Sequence, residues 1–440
     1  MKKKKIGVIT LAITLIFLGA LLLLKNFIDV DIKMVFNIAW PCIIVLFGLE
    51  IIITKTVLTK NSDETRAFVN PISVIVLCII IITISVYSNF SFNKSLNLFS
   101  IVKHLNTGDF STISSYKYKS TYDLSFDIDA EDKDEIQVSN SFGNVRILES
   151  LSDSISIAAK VTIKSNNQEY AEELSKNIVK IDESGRIVKV FRDLNSSKSI
   201  KDKAVEINVD YEILVPANVR VNVKNKLGDV IIRNIKQDLE INNEFGNIEV
   251  SDISGALKLK NYFGDIEAIN ILGSVDITNQ HNNVYVENIE DDVTIKNQFG
   301  NIKVKNLGGN LNIDNEYGTV DIKDIEEDIF VNNKFGDIYV ENANKFIKII
   351  SSNGNISLKA KNLIEKGMEI ENELGNVYIS LPSNQKGNFN ILAEIGEIRN
   401  NFGLKVSESI TDQSINDVID DSSIKFYIRT RNGNINLNSD

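Results

Sequence analysis

From Gly228 onward, apolar side chains recur in an 18-residue frame. Gly228, Gly246, Gly264, Gly300, Gly318, Gly336 and Gly354 are each separated by a multiple of 18, and Asn282 fills the one missing place. One unit reads GNIEVSDISGALKLKNYF, residues 246 to 263. Counted from the first residue of each unit, positions 2, 4, 7, 11 and 13 are apolar in all seven units that start at 228 to 336, as in Ile302, Val304, Leu307, Leu311 and Ile313. Spacing of two predicts strands with one buried face, and positions between them, such as Glu249, Lys258 and Lys260, face water. Self-similarity at a fixed period is the mark of a solenoid. The unit also divides into halves of nine, so each coil should hold two short strands and two turns.

Asn or Asp occupies both turn positions. One column is Asn234, Asp252, Asn270, Asn288, Asn306, Asp324 and Asn342; the other is Asn225, Asn243, Asn261, Asn279, Asn297, Asn315 and Asn333. Such side chains tolerate left-handed backbone and bond their own turn, and stacked in register their amides can form ladders. The residue before each repeat Gly gives Leu227, Phe245, Phe263, His281, Phe299, Tyr317 and Phe335, an aromatic column expected to close one edge of the core. His281 reads there as a ring substitute and not as a ligand.

Looser units follow at Gly375, Gly396 and Gly433, with an excursion over 403–423. The expected fold class is therefore all-β, a parallel β-solenoid over 225–440 of about 12 coils and roughly 55 Å at about 4.8 Å per coil. Residues 115–224 read as a β-rich cap with one helix over about 168–179, where Ala171, Leu174 and Ile178 are helically spaced. SNSFGNVRIL (139–148) carries the repeat motif once, and VDYEILVPANVRVNV (209–223) leads into the first coil. The terminal coils need capping against edge pairing.

The first 90 residues are different. Residues 6–24 are 19 residues without a charge, enough to cross a bilayer of about 30 Å. Residues 34–54 and 71–88 make second and third spans, and 91–114 a polar stalk. No small-residue cleavage site follows the first run, which reads as a retained anchor. The basic residues Lys2 to Lys5, Lys55, Lys60 and Arg66 put the N-terminus and the 55–70 loop in the cytoplasm. Three spans then carry everything beyond about residue 90 outside a bacterial plasma membrane. Glu50, inside the second span, reads as a carboxylate reaching for the inner interface near Lys55, with a proton or partner site as the sharper alternative.

Of the 48 basic and 59 acidic residues, nine and five lie in the first 90, which leaves the remainder with a net charge of about −15. That balance argues against nucleic acid as a partner. Both cysteines, Cys42 and Cys78, fall inside apolar runs, so the exterior part has no thiol chemistry, zinc site or disulfide framework. Its histidines are His104 and His281, and no nucleophile with a base, phosphate-cradling loop or metal-binding His pair is present. No catalytic, cofactor or metal residue is assigned. Asp229, Asp265 and Asp337 share a column with Asn247, Asn283, Asn301, Thr319 and Asn355, a pattern of a solvated turn edge more than of a catalytic pair or a calcium row.

Two resemblances follow. IGVITLAITLIFLGALLLLKNF and WPCIIVLFGLEIIITK resemble the LiaI/LiaF-type transmembrane region of Gram-positive envelope-stress proteins, which implies a bacterial plasma membrane and a tie to stress signalling. From about 125 to 440, SNSFGNV, ILVPANVRVNVKNKLGDV and the serial NxFGNIxV units resemble the bacterial "putative adhesin" family with β-strand repeats (DUF4097-type). That resemblance implies surface exposure and adhesion, with no transferable site. The leading expectation is a membrane-anchored, non-catalytic binding or scaffold module whose partners are membrane lipid and a wall polymer, a host molecule or an envelope signalling protein. A LiaF-like regulator and a carbohydrate-active β-helix enzyme are the alternatives. Calcium-bound rolls use GGxGxDxUx turns, and these turns are mostly Asn with bulky neighbours. Chelator should therefore leave the melting temperature of a 115–440 fragment unchanged, and a drop of many degrees would contradict this.

Overall fold

A computed structural model describes residues 116–193, 205–420 and 422–439, together with isolated positions in the first 70. The chain divides into two compact units, Met1–Ser115 and Tyr116–Asp440. In the first, strand Lys3–Ile6 pairs in parallel with Arg66–Val69. Ile6, expected to open the first span, belongs to that strand instead. No helix among the described residues is long and apolar enough to cross a membrane, and the expected spans 6–24, 34–54 and 71–88 and the stalk lie almost wholly outside those residues. Glu50 is among them. It is buried and accepts hydrogen bonds from the Thr10 backbone N–H at 2.9 Å and from its hydroxyl at 2.5 Å. Its described partner thus comes from the first apolar run rather than from the interface side of its own.

Among its described residues the second unit is all-β apart from one helix. Its strands form a 16-stranded and a 15-stranded sheet, and each coil gives one strand to each. Pairing is parallel and in register at intervals of 18, as in Ile248 with Ile266 and Leu257 with Val275. All 35 repeat positions are at most 3 % exposed and belong to one continuous core. β-branched side chains suit these strands because they pack against the same side chain one rung away.

The glycine column explains the spacing. Gly228, Gly246, Gly264, Gly300, Gly318, Gly336 and Gly354 have φ between 125° and 149°. A Cβ at any of them would lie 2.0–2.2 Å from the carbonyl oxygen of the residue one rung below. For Gly246 that residue is Gly228, in frame. For Gly228 it is Gly143, whose carbonyl oxygen would meet the added Cβ at 2.1 Å. The motif of SNSFGNVRIL (139–148) is the rung beneath the first 18-residue unit: Gly143 (φ 120°) holds the same turn one rung earlier, 85 residues back in the chain. Asn282 takes its place in the column at φ 85°.

Of the two Asn/Asp columns, only Asn234 to Asn342 is left-handed, with φ between 53° and 60°. The other is not in the positive-φ region. Asn225, Asn243, Asn261, Asn279, Asn297, Asn315 and Asn333 point inward, at most 5 % exposed, and bond the turn from inside: Asn261 Nδ2 donates to Gly246 O at 3.0 Å and to Gly264 O at 3.1 Å.

Stacking does not follow chain order at the ends. Strands Glu135–Asn140 and Val145–Glu149 form a rung lying between Arg220–Ile235 on one side and Ile187–Arg192 with Val205–Val215 on the other. A boundary at residue 225 therefore cuts through strand Arg220–Leu227, and the expected cap region supplies a rung of the rod. Beyond it, Tyr118–Asp129 and Ser154–Ser165 continue one sheet antiparallel. The helix Gln168–Asn177, capped by Asn167 accepting from Tyr170 N–H at 3.0 Å, buries Tyr170, Ala171 and Leu174. At the other end, residues 425–439 lie between the rung 367–381 and the rung 387–400. Antiparallel Gln413–Ile419 covers Gly387–Ile395. Within the excursion expected over 403–423, strands Val406–Glu408 and Gln413–Ile419 form this cover.

Gly264→Ala should lower stability by about 3 kcal/mol or more, from left-handed strain and backbone overlap together. Gly185→Ala, with nothing within 4 Å of the added methyl, should stay within about 0.5 kcal/mol in the same urea melt.

Candidate binding surface

Three columns on the outside of the rod carry its surface chemistry. At the left-handed turn the amides bond along the axis: Asn270 Nδ2 to Asp252 Oδ1, Asn288 to Asn270 and Asn306 to Asn288, each at 2.9 Å. This edge borders an open groove of about 1050 Å³ lined by Asn288, Asn306, Asp324, Glu290 and Glu326. At the glycine turn, the Asn and Asp side chains that follow the repeat position accept the backbone N–H one rung on. Asp229 Oδ1 accepts from Asn247 at 2.8 Å, Asn247 from Asp265 at 3.0 Å, and Asp265 from Asn283 at 2.9 Å. Asp337 accepts from Asn355 at 2.7 Å. These aspartates serve the stacking of the rod, and Asn247 separates the first two. Among the described residues no group of three or more His, Cys, Asp or Glu could hold a metal ion.

The third column is aromatic. Phe245, Phe263, His281, Phe299, Tyr317 and Phe335 stack with centroids 4.3–5.1 Å apart and planes within 8° of parallel. Sequence reading placed this column at the edge of the core. The structure corrects that: the four phenylalanines and Tyr317 are 38–42 % exposed, and Leu227 continues the row at 40 %. The reason is the corner. Each ring follows the inward Asn and precedes the positive-φ Gly, so the chain has already left the core. The rings engage one another's faces, the offset arrangement that the ring quadrupole favours, and turn their edges to solvent. His281 is held between Phe263 and Phe299 at 4.3 and 5.1 Å.

Polar side chains on the same face pair along columns. Lys334 bonds Glu316 at 3.0 Å, Lys348 bonds Glu369 at 2.9 Å, and Lys323 on the other sheet bonds Glu341 at 3.1 Å. The Lys334 ammonium holds Glu316 below the usual carboxylate range, and Glu316 holds Lys334 above the usual amine range. One stretch departs from this habit. Near the start of the rod, a groove of about 860 Å³ is lined by Arg192, Lys224, Lys226, Lys260, Tyr262 and the first rings of the ladder, with Glu244 its one carboxylate. Periodicity did not single these cations out, because they occupy outward positions that accept any polar residue.

Residues 291–438, about a third of the chain, match the family described as Toastrack DUF4097. No curated protein matches. Among solved structures, a "putative cell adhesion protein" of Clostridium sporogenes is 12 % identical, with 73 % of this chain and 100 % of that one covered, at a TM-score of 0.17. A "putative adhesin" of Bacteroides fragilis is 10 % identical, with 72 % and 98 % covered, at a TM-score of 0.24. One of Parabacteroides distasonis is 11 % identical, with 72 % and 97 % covered, at 0.23.

If the rings stabilise mainly through one another, Phe299→Ala should cost about 1–2 kcal/mol, whereas Ile295→Ala in the core should cost about 2–5 kcal/mol. Equal losses in thermal melts of the two variants would show that the ladder is part of the core.

Proposed function

We propose that this chain is a membrane-anchored, non-catalytic binding or scaffold module displayed on the bacterial cell envelope. The observation that carries the reading is the exposed six-ring ladder on a rigid, register-locked rod. A contiguous apolar strip of this kind is seldom left facing water without a partner, and solenoids bind through extended surfaces of repeated columns. The Toastrack match over 291–438 supports a module of this family type. Anchoring rests on the three apolar runs of the first 90 residues, and placement outside the membrane on the distribution of Lys and Arg around them. The non-catalytic reading rests on how the candidate groups are used: His281 is stacked between two rings, and Asp229, Asp265 and Asp337 accept backbone N–H groups of the next rung. Partners on this reading are a wall polymer, a host molecule or a neighbouring envelope protein.

The contact between Glu50 and Thr10 favours a second reading. A buried carboxylate held by a residue of another apolar run ties those runs together, as a LiaF-like regulator working through its membrane region would need. Complementation of a deletion strain separates the two. Residues 91–440 on an unrelated three-span anchor should restore the phenotype, and residues 1–90 alone should not. Restoration by 1–90 alone would favour regulation and overturn the binding reading.

A further inference from the structure

On the binding reading, the remaining question is what the rod binds. We infer that the groove beside the first rings of the ladder takes a linear acidic polysaccharide, laid along the rod axis, with one carboxylate per disaccharide. The register carries the argument. Across consecutive rungs one outward column runs Phe191, Ser139, Lys224, Asn242, Lys260, Thr278, Lys296 and Asp314. Its lysines fall on every second rung, with Asn242 and Thr278 between them. Arg192, which follows Phe191, lies on the other, half-buried face of its strand and is not part of this lane. Three positive charges, on Lys224, Lys260 and Lys296, are thus set at intervals of about 10 Å, two rung spacings, until Asp314 ends the series.

Elsewhere on the rod several outward lysines close ion pairs with the neighbouring rung, as Lys303 does with Asp321 at 3.4 Å and Lys334 with Glu316, while Lys305 lies over the Tyr285 ring at 5.8 Å. Among the described residues, Arg192, Lys224, Lys260 and Lys296 make no ion pair. Arg192 is half-buried. It lies over the Phe142 ring at 5.8 Å and donates through Nη1 to Ile207 O at 3.2 Å, and its Nε has no described partner. Burial pulls its guanidinium below the ordinary value, with Tyr211 opposing. An anion reaching Arg192 would supply what the fold withholds. On a chain of net charge −11, this strip is a local reversal of sign.

The walls choose among anionic chains. Tyr262, 49 % exposed, is the one ring in its own column and lies tilted 48° to Phe263. Phe191 at 36 % and Phe245 at 42 % add apolar surface. Aromatic surface beside amides and hydroxyls (Asn242, Ser139, Thr278) suits pyranose rings, which offer C–H faces and hydroxyl rims. A stacked nucleic-acid strand carries a phosphate about every 3.4 Å, a closer spacing than these cations provide. Its charges would also run into Asp314 and Glu316 at the next rungs.

Isothermal titration of the full chain with hyaluronate oligosaccharides, which carry one uronate per disaccharide, tests this. Binding should be saturable and should weaken with added salt. Chitin oligosaccharides, neutral but otherwise similar, and an oligo-deoxythymidine should bind at least about tenfold more weakly. Lys260→Gln should reduce hyaluronate affinity about two- to fivefold, and Lys224→Gln, Lys260→Gln and Lys296→Gln together by more than about tenfold. Lys323→Gln, on the other sheet, should change nothing. Tyr262→Ala should weaken hyaluronate binding and leave the response to inorganic polyphosphate unaltered. Absent hyaluronate binding, equal binding of the chitin or DNA probe, or full affinity in the triple variant would overturn the assignment. Those results would leave the complementation outcome, and with it the binding reading, standing.

Discussion

The rod depends on how closely one rung's backbone approaches the next at the glycine turn. There the carbonyl oxygen of one residue occupies the space where the following rung would carry a Cβ, so only glycine, or Asn282 at a shifted φ, fits. Once that approach is fixed, every side chain sits over its counterpart 18 residues away. Aliphatic residues then bury one another, buried asparagines bridge the glycine carbonyls of successive rungs, and the rings stack at rung spacing. Parallel pairing alone would allow slippage by two residues without exposing the core. The glycine contact and the Asn amides beneath it forbid that, because each would meet the wrong partner.

That locking converts sequence columns into surface columns. A residue's chemistry is repeated or varied every 18 positions, so the outside of the rod is a grid in which charge, amide and ring each have a lane. Where carboxylate and ammonium alternate in a lane, they neutralise one another and the surface is polar but satisfied. Where lysine alternates with a neutral residue, charge accumulates at twice the rung spacing. Recognition on such a scaffold is a matter of pitch, with a bound chain selected by whether its repeat matches that of the lane.

Much of this was legible in the residues. The 18-residue frame, the inward set, the left-handed column from Asn234 to Asn342 and the helix at Gln168–Asn177 all have strong local signals in spacing or turn chemistry. Three things were not. The aromatic column looked like core because Phe and Tyr are apolar, but period alone does not say on which side of a corner a residue falls. The two Asn columns looked alike, although Asn243 and its counterparts point into the rod and take no left-handed backbone. The order of rungs at the ends was invisible, since every rung offers much the same edge to any neighbour and the sequence does not say which pairs meet. Gly228 shows this: its frame has no glycine 18 residues earlier, and its partner Gly143 is out of period. Lys224, Lys260 and Lys296 stand 36 residues apart in the frame, but only the strand order shows that Phe191 and Ser139 extend their lane.

The out-of-order rung 425–439 bears on how such a rod matures. A solenoid whose coils dock strictly in succession can be assembled as the polypeptide emerges, each segment adding to a finished stub. Here the segment 387–400 can pair with the antiparallel strand Gln413–Ile419, but it has no place on the rod until 425–439 has appeared and slipped beneath it. Growth from the 220–381 side must therefore pause with an open sheet edge, and closure is a single late event that joins parts distant in the chain. Loop closure over that separation is slow relative to local docking. The completion of the tip, rather than the elongation of the shaft, then sets the interval during which the nascent protein is exposed to proteases and to misdirected strand pairing.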